Sequence, residues 1–393
     1  MMNFRIGIHN STIVDHSGGG VYYLNSLIAG LNHYTNHEIV VYYDNLNYKK
    51  YIFKSDKIEW LFVNNKSEYF RKFVLAASLI TGKKPINYKW DINKYGKKPD
   101  LIITQESLFS YQMGIKFIGF IGDVMYKYFK NLGEYSFKRR FIRDLSTKLI
   151  INKSSGIVVD SNYSSNDLQR FFNGNKSKIK VVPLCIPPHI NKLSNSNKDP
   201  KKILMQNKYK LPSKYLFYPS QYWEHKNHIN LINAVNQAKL SKNITINLVL
   251  SGSDDWPLFQ EIRKTIDSLS LQNQVITLGY VSDEDIITIY KKSRGIIYPS
   301  YGDYTGIPIV EAMYFGKPIA AANTFAIPEQ VGNAGILFDP HNINDMMEKM
   351  ITIWNDDELC KKLSQNSLIR LKNFSLKKFA LLWNKMIIKA VSE

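Results

Sequence analysis

Short β-branched and apolar runs alternate with stretches of helical apolar spacing along almost the whole chain, the signature of βαβ units built around parallel sheets. In the first half this pattern predicts strands at Phe4 to Ile8, Glu38 to Tyr42, Leu101 to Thr104, Phe117 to Ile121, Gly156 to Val159 and Ile179 to Val182, with helices between them. Ser161 or Ser164, followed by Asp167, is the N-cap expected to open a helix in "SSNDLQRFF". From Ile186 to Lys214 the periodicity is lost and Pro, Ser, Asn and Lys gather, which is the composition of a linker. The alternation then restarts with a strand at Tyr215 to Tyr218, a helix from about Asn227, a strand at Thr245 to Ser251 and a helix at Pro257 to Leu269. A strand at Val275 to Leu278, a helix at Asp283 to Lys292 and a strand at Gly295 to Tyr298 follow. The last stretch, "SLKKFALLWNKMIIKAV", is apolar at helical spacing and long enough to reach back over the first domain. Open α/β sheets bind ligands at the carboxyl ends of their strands, so function is to be sought in the loops after strands.

Length and composition agree with two such domains: 393 residues, 44% of them hydrophobic, are enough for two sizeable cores. Cys185 and Cys360 stand far apart and outside any metal-ligand spacing, which argues against a disulfide framework or a zinc site and fits a reducing cytoplasm. "MMNFRIGIHN" carries Arg5 within its apolar stretch and reads as a first strand, not a signal peptide. The longest apolar run, Phe73 to Ile80, is far shorter than the roughly 18 residues a membrane span needs. A formal charge of +19 points to an anionic partner: nucleic acid, an anionic membrane surface or a phosphorylated ligand. No nucleic-acid-binding module is recognisable, and acidic residues at Asp254, Asp283, Glu284 and Asp285 oppose a continuous groove for one.

Three loops carry candidate chemistry. In "YPSYGDYTGIPIVEAMYFGKPIA" the strand ends near Tyr298, and Pro308 suits the first position of a helix, where its missing N–H is harmless. Free backbone N–H groups near Gly306 and Ile307 would then present a partial positive charge to a phosphate. Glu311, at the start of that helix, suits vicinal hydroxyls such as a ribose offers, and Asp303 in the loop suits hydroxyls of a second ring; a dipole-favoured surface acid and a turn former are the plainer readings. In "YPSQYWEHKNHINLINAV" Lys226 is placed to neutralise an anion, unless it is one more solvated lysine. His225 and His228 lack a third ligand nearby, so no metal site is assigned. At the N-terminus Gly18, Gly19 and Gly20, between a loop and a helix, either let backbone approach a pyrophosphate or form a flexible turn.

Taken together, the string "PS-x-x-D-x-x-G-x-P-x-x-EAM-x-x-GKP" closely resembles the two-acid motif of the family 4 retaining nucleotide-sugar glycosyltransferases. The resemblance covers nearly all of the second domain and the first more loosely. It implies the GT-B fold: an α/β chain of two Rossmann-like domains with parallel sheets facing across a cleft, and a C-terminal helix crossing back to the first domain. The expected division is an acceptor-binding domain at 1–190, a linker at 191–213, a nucleotide-sugar-binding domain at 214–374 and the returning helix at 375–393. By resemblance Glu311 holds the nucleotide ribose and Asp303, one methylene shorter than the family's glutamate, lies near the donor sugar. Lys226 is the phosphate-binding lysine, and Gln221 stands where the family often has an arginine. Gly18, Gly19 and Gly20 face the donor phosphates together with Thr305, Gly306 and Ile307, and Gly279 and Tyr280 lie beside the base. Asp123 matches an acceptor-side aspartate, while the histidine that often accompanies it is replaced by Gly122 or Tyr126. Tyr126, Lys138, Arg139, Arg140 and Arg143 form a basic face that is either simply solvated or suited to anionic lipid or a lipid diphosphate.

The implied activity is metal-independent, retaining transfer of a hexose-type sugar, mannose among the candidates, from a GDP- or UDP-linked donor to a hydroxyl of a glycan or lipid-linked acceptor. No cofactor is expected. Surface-polysaccharide or lipopolysaccharide synthesis on the inner face of the cytoplasmic membrane is the implied setting, with the protein cytoplasmic and peripheral on that surface. A nucleotide-sugar epimerase of the same fold and, more distantly, a nucleic-acid-binding protein are the alternatives.

Overall fold

The computed structural model describes residues 3–9, 18–43, 55–63, 96–105, 114–130, 136–190 and 208–393. Most of the expected linker, the apolar run at Phe73 to Ile80, and the loop at 10–17 lie outside the described residues. The described chain forms two compact units: one drawn from residues up to Cys185 together with Leu376–Glu393, the other from Ile186–Ser375.

The first unit holds a seven-stranded sheet of β1 (Arg5–His9), β2 (Glu38–Tyr43), β3 (Ile58–Phe62), β4 (Leu101–Thr104), β5 (Phe117–Phe120), β6 (Gly156–Val159) and β7 (Ile179–Val181). Its order is β3-β2-β1-β4-β5-β6-β7, with every pairing parallel. Central strands such as "LIIT" and "GIVV" are buried at every position, as both faces of a parallel sheet require. Helices α1 (Gly18–Tyr34), α2 (Phe137–Lys153) and α3 (Asn162–Phe172) belong to this unit. Ser161 caps α3, its hydroxyl accepting from the Ser164 amide. Arg5, unusual in so apolar a strand, is buried and paired with Glu38 on the adjacent β2 and Glu59 on β3 beyond it.

The second unit holds six strands: β8 (Leu216–Pro219), β9 (Leu248–Ser251), β10 (Val275–Thr277), β11 (Gly295–Tyr298), β12 (Ile319–Ala322) and β13 (Gly335–Phe338). Their order is β10-β9-β8-β11-β12-β13, again all parallel. Around them run α4 (His228–Lys242), α5 (Leu258–Ser268), α6 (Asp283–Lys292), α7 (Ile307–Tyr314), α8 (Ile327–Val331), α9 (Ile343–Asn355) and α10 (Asp357–Leu371). The chain winds one way from β8 through β9 to β10 and the other way from β11 onward. The topological switch point therefore lies between β8 and β11, where such sheets open a ligand crevice at the strands' carboxyl ends.

The last helix, α11 (Leu376–Ser392), packs into the first unit, as the sequence predicts for a returning helix. Gly30 of α1 admits it closely, since a Cβ there would stand 3.1 Å from Ala380 Cβ, and a Cβ at Gly156 would run into Met386. Trp383 is fully buried and meets Tyr23 edge-on, and Asn384 is hydrogen-bonded to the His37 ring at 2.7 Å.

Candidate active site

Two loops leave the switch point of the second unit. After β8 the chain passes Gln221 and Trp223 into a single 3-10 turn, Glu224–Lys226, and then into α4. Asn227 ends that turn with a left-handed backbone (φ 61°), and its side-chain amide donates to the carbonyls of Pro299 and Pro340 at 3.0 and 2.9 Å. An asparagine tolerates this conformation better than most residues, so "HKNH" fixes the loop and ties it to the β11 side. The Tyr218 hydroxyl holds the Lys226 carbonyl at 3.0 Å. Lys226 is buried, and its ammonium donates to both Asp303 carboxylate oxygens at 2.8 Å. The Tyr298 hydroxyl donates to Asp303 Oδ2 at 2.9 Å and stands 3.4 Å from the ammonium. Burial alone would push the Asp303 carboxyl up, yet the nearby Lys226 and His225 outweigh it and hold the carboxyl below its ordinary range. His228, packed on Tyr218 and Tyr222, is driven by burial and by Lys226 down to about 3 and stays neutral.

After β11 the loop leads to α7. The helix begins at Ile307, so Pro308 sits one position further in than expected. That position also lacks an intrahelical acceptor, so the proline still removes nothing the helix uses. The Gly306 amide, expected to be free, donates to Gln330 Oε1 at 2.8 Å, and Gln330 returns a bond to the Gly306 carbonyl at 2.9 Å. A side chain from α8 thus occupies one of the N–H groups the sequence offers to a phosphate. Glu311 is buried, and its Oε2 accepts from the Tyr290 hydroxyl at 2.7 Å. Burial, with Asp283 adding to it against the Tyr290 bond, pushes the Glu311 carboxyl up to about 7. The lysine of "GKP" plays a structural part, since Lys317 donates to the carbonyls of Lys291 and Ser293 and so closes the end of α6.

Gln221 lies beside this site with its side-chain oxygen engaged, accepting from the Ser253 amide at 2.9 Å and the Trp256 indole at 3.0 Å. Gly279 adopts φ +67°, and a Cβ there would stand 3.3 Å from Asp254 Oδ2. Tyr280, next to it, is 65% exposed and follows β10 at its carboxyl end. Among the described residues no group of three His, Cys, Asp or Glu side chains could hold a metal ion.

The remaining candidates belong to the first unit. Gly18, Gly19 and Gly20 form the first turn of α1, and a Cβ at Gly20 would meet no described atom within 4 Å. Asp123, after β5, accepts from Arg143 at 2.7 Å and from the Met125 amide at 3.1 Å. Arg143 also lies over the buried Tyr126 ring at 4.9 Å. The basic face is therefore narrower than the sequence implies, because Arg143 turns to Asp123. Lys138 and Arg139 remain exposed at the start of α2, beside Phe137 and Phe141 at 76% and 52% exposure.

Lys226, Asp303 and Glu311 thus leave neighbouring strands of one unit, with Gln221, Thr305, Gly306 and Ile307 on the same two loops. Sequence reasoning does not single out Tyr298, Tyr290, Gln330 or Asn227. A tyrosine ending one strand or a glutamine in a later helix carries no local signal; only Asn before a helix, as a tolerant cap, was available to find.

Comparisons with known proteins agree with this architecture. Residues 200–369 match the family model described as Glycosyl transferases group 1. O-antigen chain mannosyltransferase B of Escherichia coli is 28% identical over 222 residues, which is 56% of this chain and 56% of that protein, so the chain spans about half the length of this relative. A glycosyltransferase from Rickettsia africae ESF-5 superimposes with a TM-score of 0.73 at 20% identity, over 100% of this chain and 99% of the other. HepE of Anabaena, solved in complex with UDP and glucose, gives 0.72 at 17% identity over 98% and 99%. The two parallel-sheet units have the GT-B fold, and residues 200–369 of the second carry the glycosyl transferases group 1 match.

Proposed function

We propose that the protein is a retaining glycosyltransferase that moves a hexose-type sugar, with mannose favoured, from a nucleoside diphosphate to a hydroxyl of a glycan or lipid-linked acceptor in lipopolysaccharide or polysaccharide synthesis. The observation that carries the reading is the convergence of Lys226, Asp303 and Glu311 at the switch point of the unit that matches the group 1 glycosyl transferases. The E. coli relative's name supports mannose and O-antigen chemistry, and the HepE complex supports a nucleotide-sugar donor.

In this reading Glu311 Oε1 and Oε2 accept the ribose hydroxyls, Tyr280 lies against the base, and Lys226 faces the diphosphate with Thr305 and Ile307. Negative charge grows on the leaving diphosphate as the glycosidic bond breaks, and fixed cations and N–H groups offset it without reorganisation. The departing phosphate takes the acceptor proton in a same-face displacement, with Asp123 on the acceptor side. Lys226 would supply a fixed positive charge at the diphosphate, so turnover is expected to survive EDTA. Screening GDP- and UDP-linked sugars for donor hydrolysis, with and without EDTA, tests both points. Failure of every donor would remove the transferase reading, and loss of activity restored by Mg²⁺ or Mn²⁺ would remove the metal-independent one.

The exposed Lys138 and Arg139 beside Phe137 and Phe141 support a peripheral membrane partner. No helix among the described residues is long and apolar enough to cross a membrane. Each basic side chain near an anionic surface contributes about 1 kcal/mol and is screened beyond about 8 Å at physiological salt. Flotation is therefore expected with phosphatidylglycerol-rich vesicles, weakening as salt rises and in Lys138→Glu/Arg139→Glu. Equal flotation with neutral vesicles would overturn the electrostatic basis.

A further inference from the structure

We infer that Asp303 and Tyr298 act on the donor through Lys226, as positioning residues that present its ammonium as half of an ion pair, so that an incoming diphosphate meets a paired cation and not a bare one. This rests on the nucleotide-sugar reading above and gives Asp303 a role other than touching the sugar.

The geometry is specific. Both Asp303 oxygens lie 2.8 Å from the Lys226 nitrogen, so two of the three ammonium N–H groups point at one carboxylate. The Tyr298 hydroxyl donates to Oδ2 and stands 3.4 Å from the same nitrogen, closing a three-membered cluster. Both side chains of the pair are only 11% exposed, so water competes little with either partner. The cluster is anchored at both ends: Tyr218, ending β8, fixes the Lys226 carbonyl, while Tyr298, ending β11, fixes Asp303, and the two rings meet edge-on at 5.7 Å. Ser300, near Asp303, bonds the His225 carbonyl at 3.1 Å, which ties the two loops once more. With one methylene fewer than glutamate, Asp303 is short enough for both its oxygens to stay on Lys226.

The consequence concerns binding against turnover. A buried bare ammonium would hold the product diphosphate tightly, and uniform tight binding does not raise kcat. An ammonium already balanced by a carboxylate holds the ground state and product less firmly, while remaining fixed where charge develops. The neutral variant Asp303→Asn keeps the shape and removes the counter-charge.

The test measures GDP and UDP binding by calorimetry and donor turnover in wild type, Asp303→Asn and Tyr298→Phe. It also follows reductive methylation of Lys226 by mass spectrometry, which needs a free amine and a path to it and does not depend on nucleotide. Asp303→Asn is expected to bind GDP or UDP about tenfold more tightly and to lower kcat about tenfold. Lys226 should be methylated severalfold faster in both variants than in wild type. Tyr298→Phe keeps both charges, so diphosphate affinity should hold within about twofold while kcat falls; it also carries the test if Asp303→Asn fails to fold. Unchanged or weaker diphosphate binding in Asp303→Asn would overturn the inference, because a sugar contact or a merely structural acid predicts that result. Unchanged methylation in Tyr298→Phe would overturn it as well. If wild type binds neither GDP nor UDP, the nucleotide-sugar reading fails, and the methylation rates alone decide whether Asp303 and Tyr298 hold Lys226.

Discussion

Lys226→Ala is expected to lower kcat/KM for sugar transfer by at least about a hundredfold while weakening binding of the bare nucleoside little. At an effective dielectric near 20, a charge about 4 Å from the diphosphate is worth roughly 4 kcal/mol, or about three decades in rate, before the pairing with Asp303 reduces it. The interaction grows as the leaving group gains charge, so the loss falls mainly on the transition state. Lys226→Arg should restore activity only in part, since a planar fork does not reproduce a compact ammonium. Lys226→Ala also strands Asp303, a buried acid with no remaining cation on its oxygens, and breaking such a pair costs about 3–5 kcal/mol. The pH dependence of stability should weaken as well. In wild type the Asp303 carboxyl is held below its ordinary range, so the pair's contribution is present at neutral pH and is lost only as pH falls through that depressed value. In Lys226→Ala the largest influence holding the carboxyl down is gone, and burial is opposed only by His225 and Ser300, so the carboxyl moves up and the loss of stability on acidification begins at higher pH and is smaller. Melting curves between acid and neutral pH, with donor kinetics, check both; wild-type turnover and melting in Lys226→Ala would remove its role at the diphosphate.

Glu311→Ala is expected to reduce nucleoside diphosphate affinity by about a hundredfold or more, because two charge-assisted hydrogen bonds, each worth about 1.5–3 kcal/mol, would be lost together. Near-normal affinity by calorimetry would show that Glu311 does not hold the ribose. The wild-type pH dependence carries a sharper signature. With the carboxyl raised to about 7, the folded protein binds more protons than the unfolded chain between the ordinary value of 4.5 and about 7. Stability attributable to Glu311 therefore falls as pH rises across that window, by at most about 3 kcal/mol, and is level above it. Donor affinity should move the other way, rising as pH passes through about 7, because only the ionised carboxylate accepts from both hydroxyls. Glu311→Gln should flatten both profiles. A wild-type affinity that is constant from pH 6 to pH 8 would contradict the assignment.

The alternation of strand and helix, the family resemblance and the loops to inspect were all legible in the sequence. Leu101–Thr104, Gly156–Val159, Gly295–Tyr298 and Asp283–Lys292 are found at the residues predicted for them. The reason is local: a strand buried on both faces must be an unbroken apolar run, and a helix such as α6 announces itself by Ser282 at its cap and three acids in its first turn. Three strands escaped. Ile58–Phe62 is an edge strand of mixed burial, Ile319–Ala322 is mostly alanine, a weak strand former, and Gly335–Phe338 is a short edge strand whose burial comes from its neighbours. The partners of the candidate site depended on tertiary structure altogether. Lys226 and Asp303 are 77 residues apart, and nothing in either loop names the other; they meet because β8 and β11 pair in parallel at the switch point and release their loops on the same side. Tyr290 reaches Glu311 from a different helix, Gln330 takes the Gly306 amide from another, and Arg143 turns from the basic face to Asp123. Charge and spacing along a chain name the groups that can do chemistry. Which of them are buried, and against which partner, sets their ionisation and reach, and that is decided by strand order and packing.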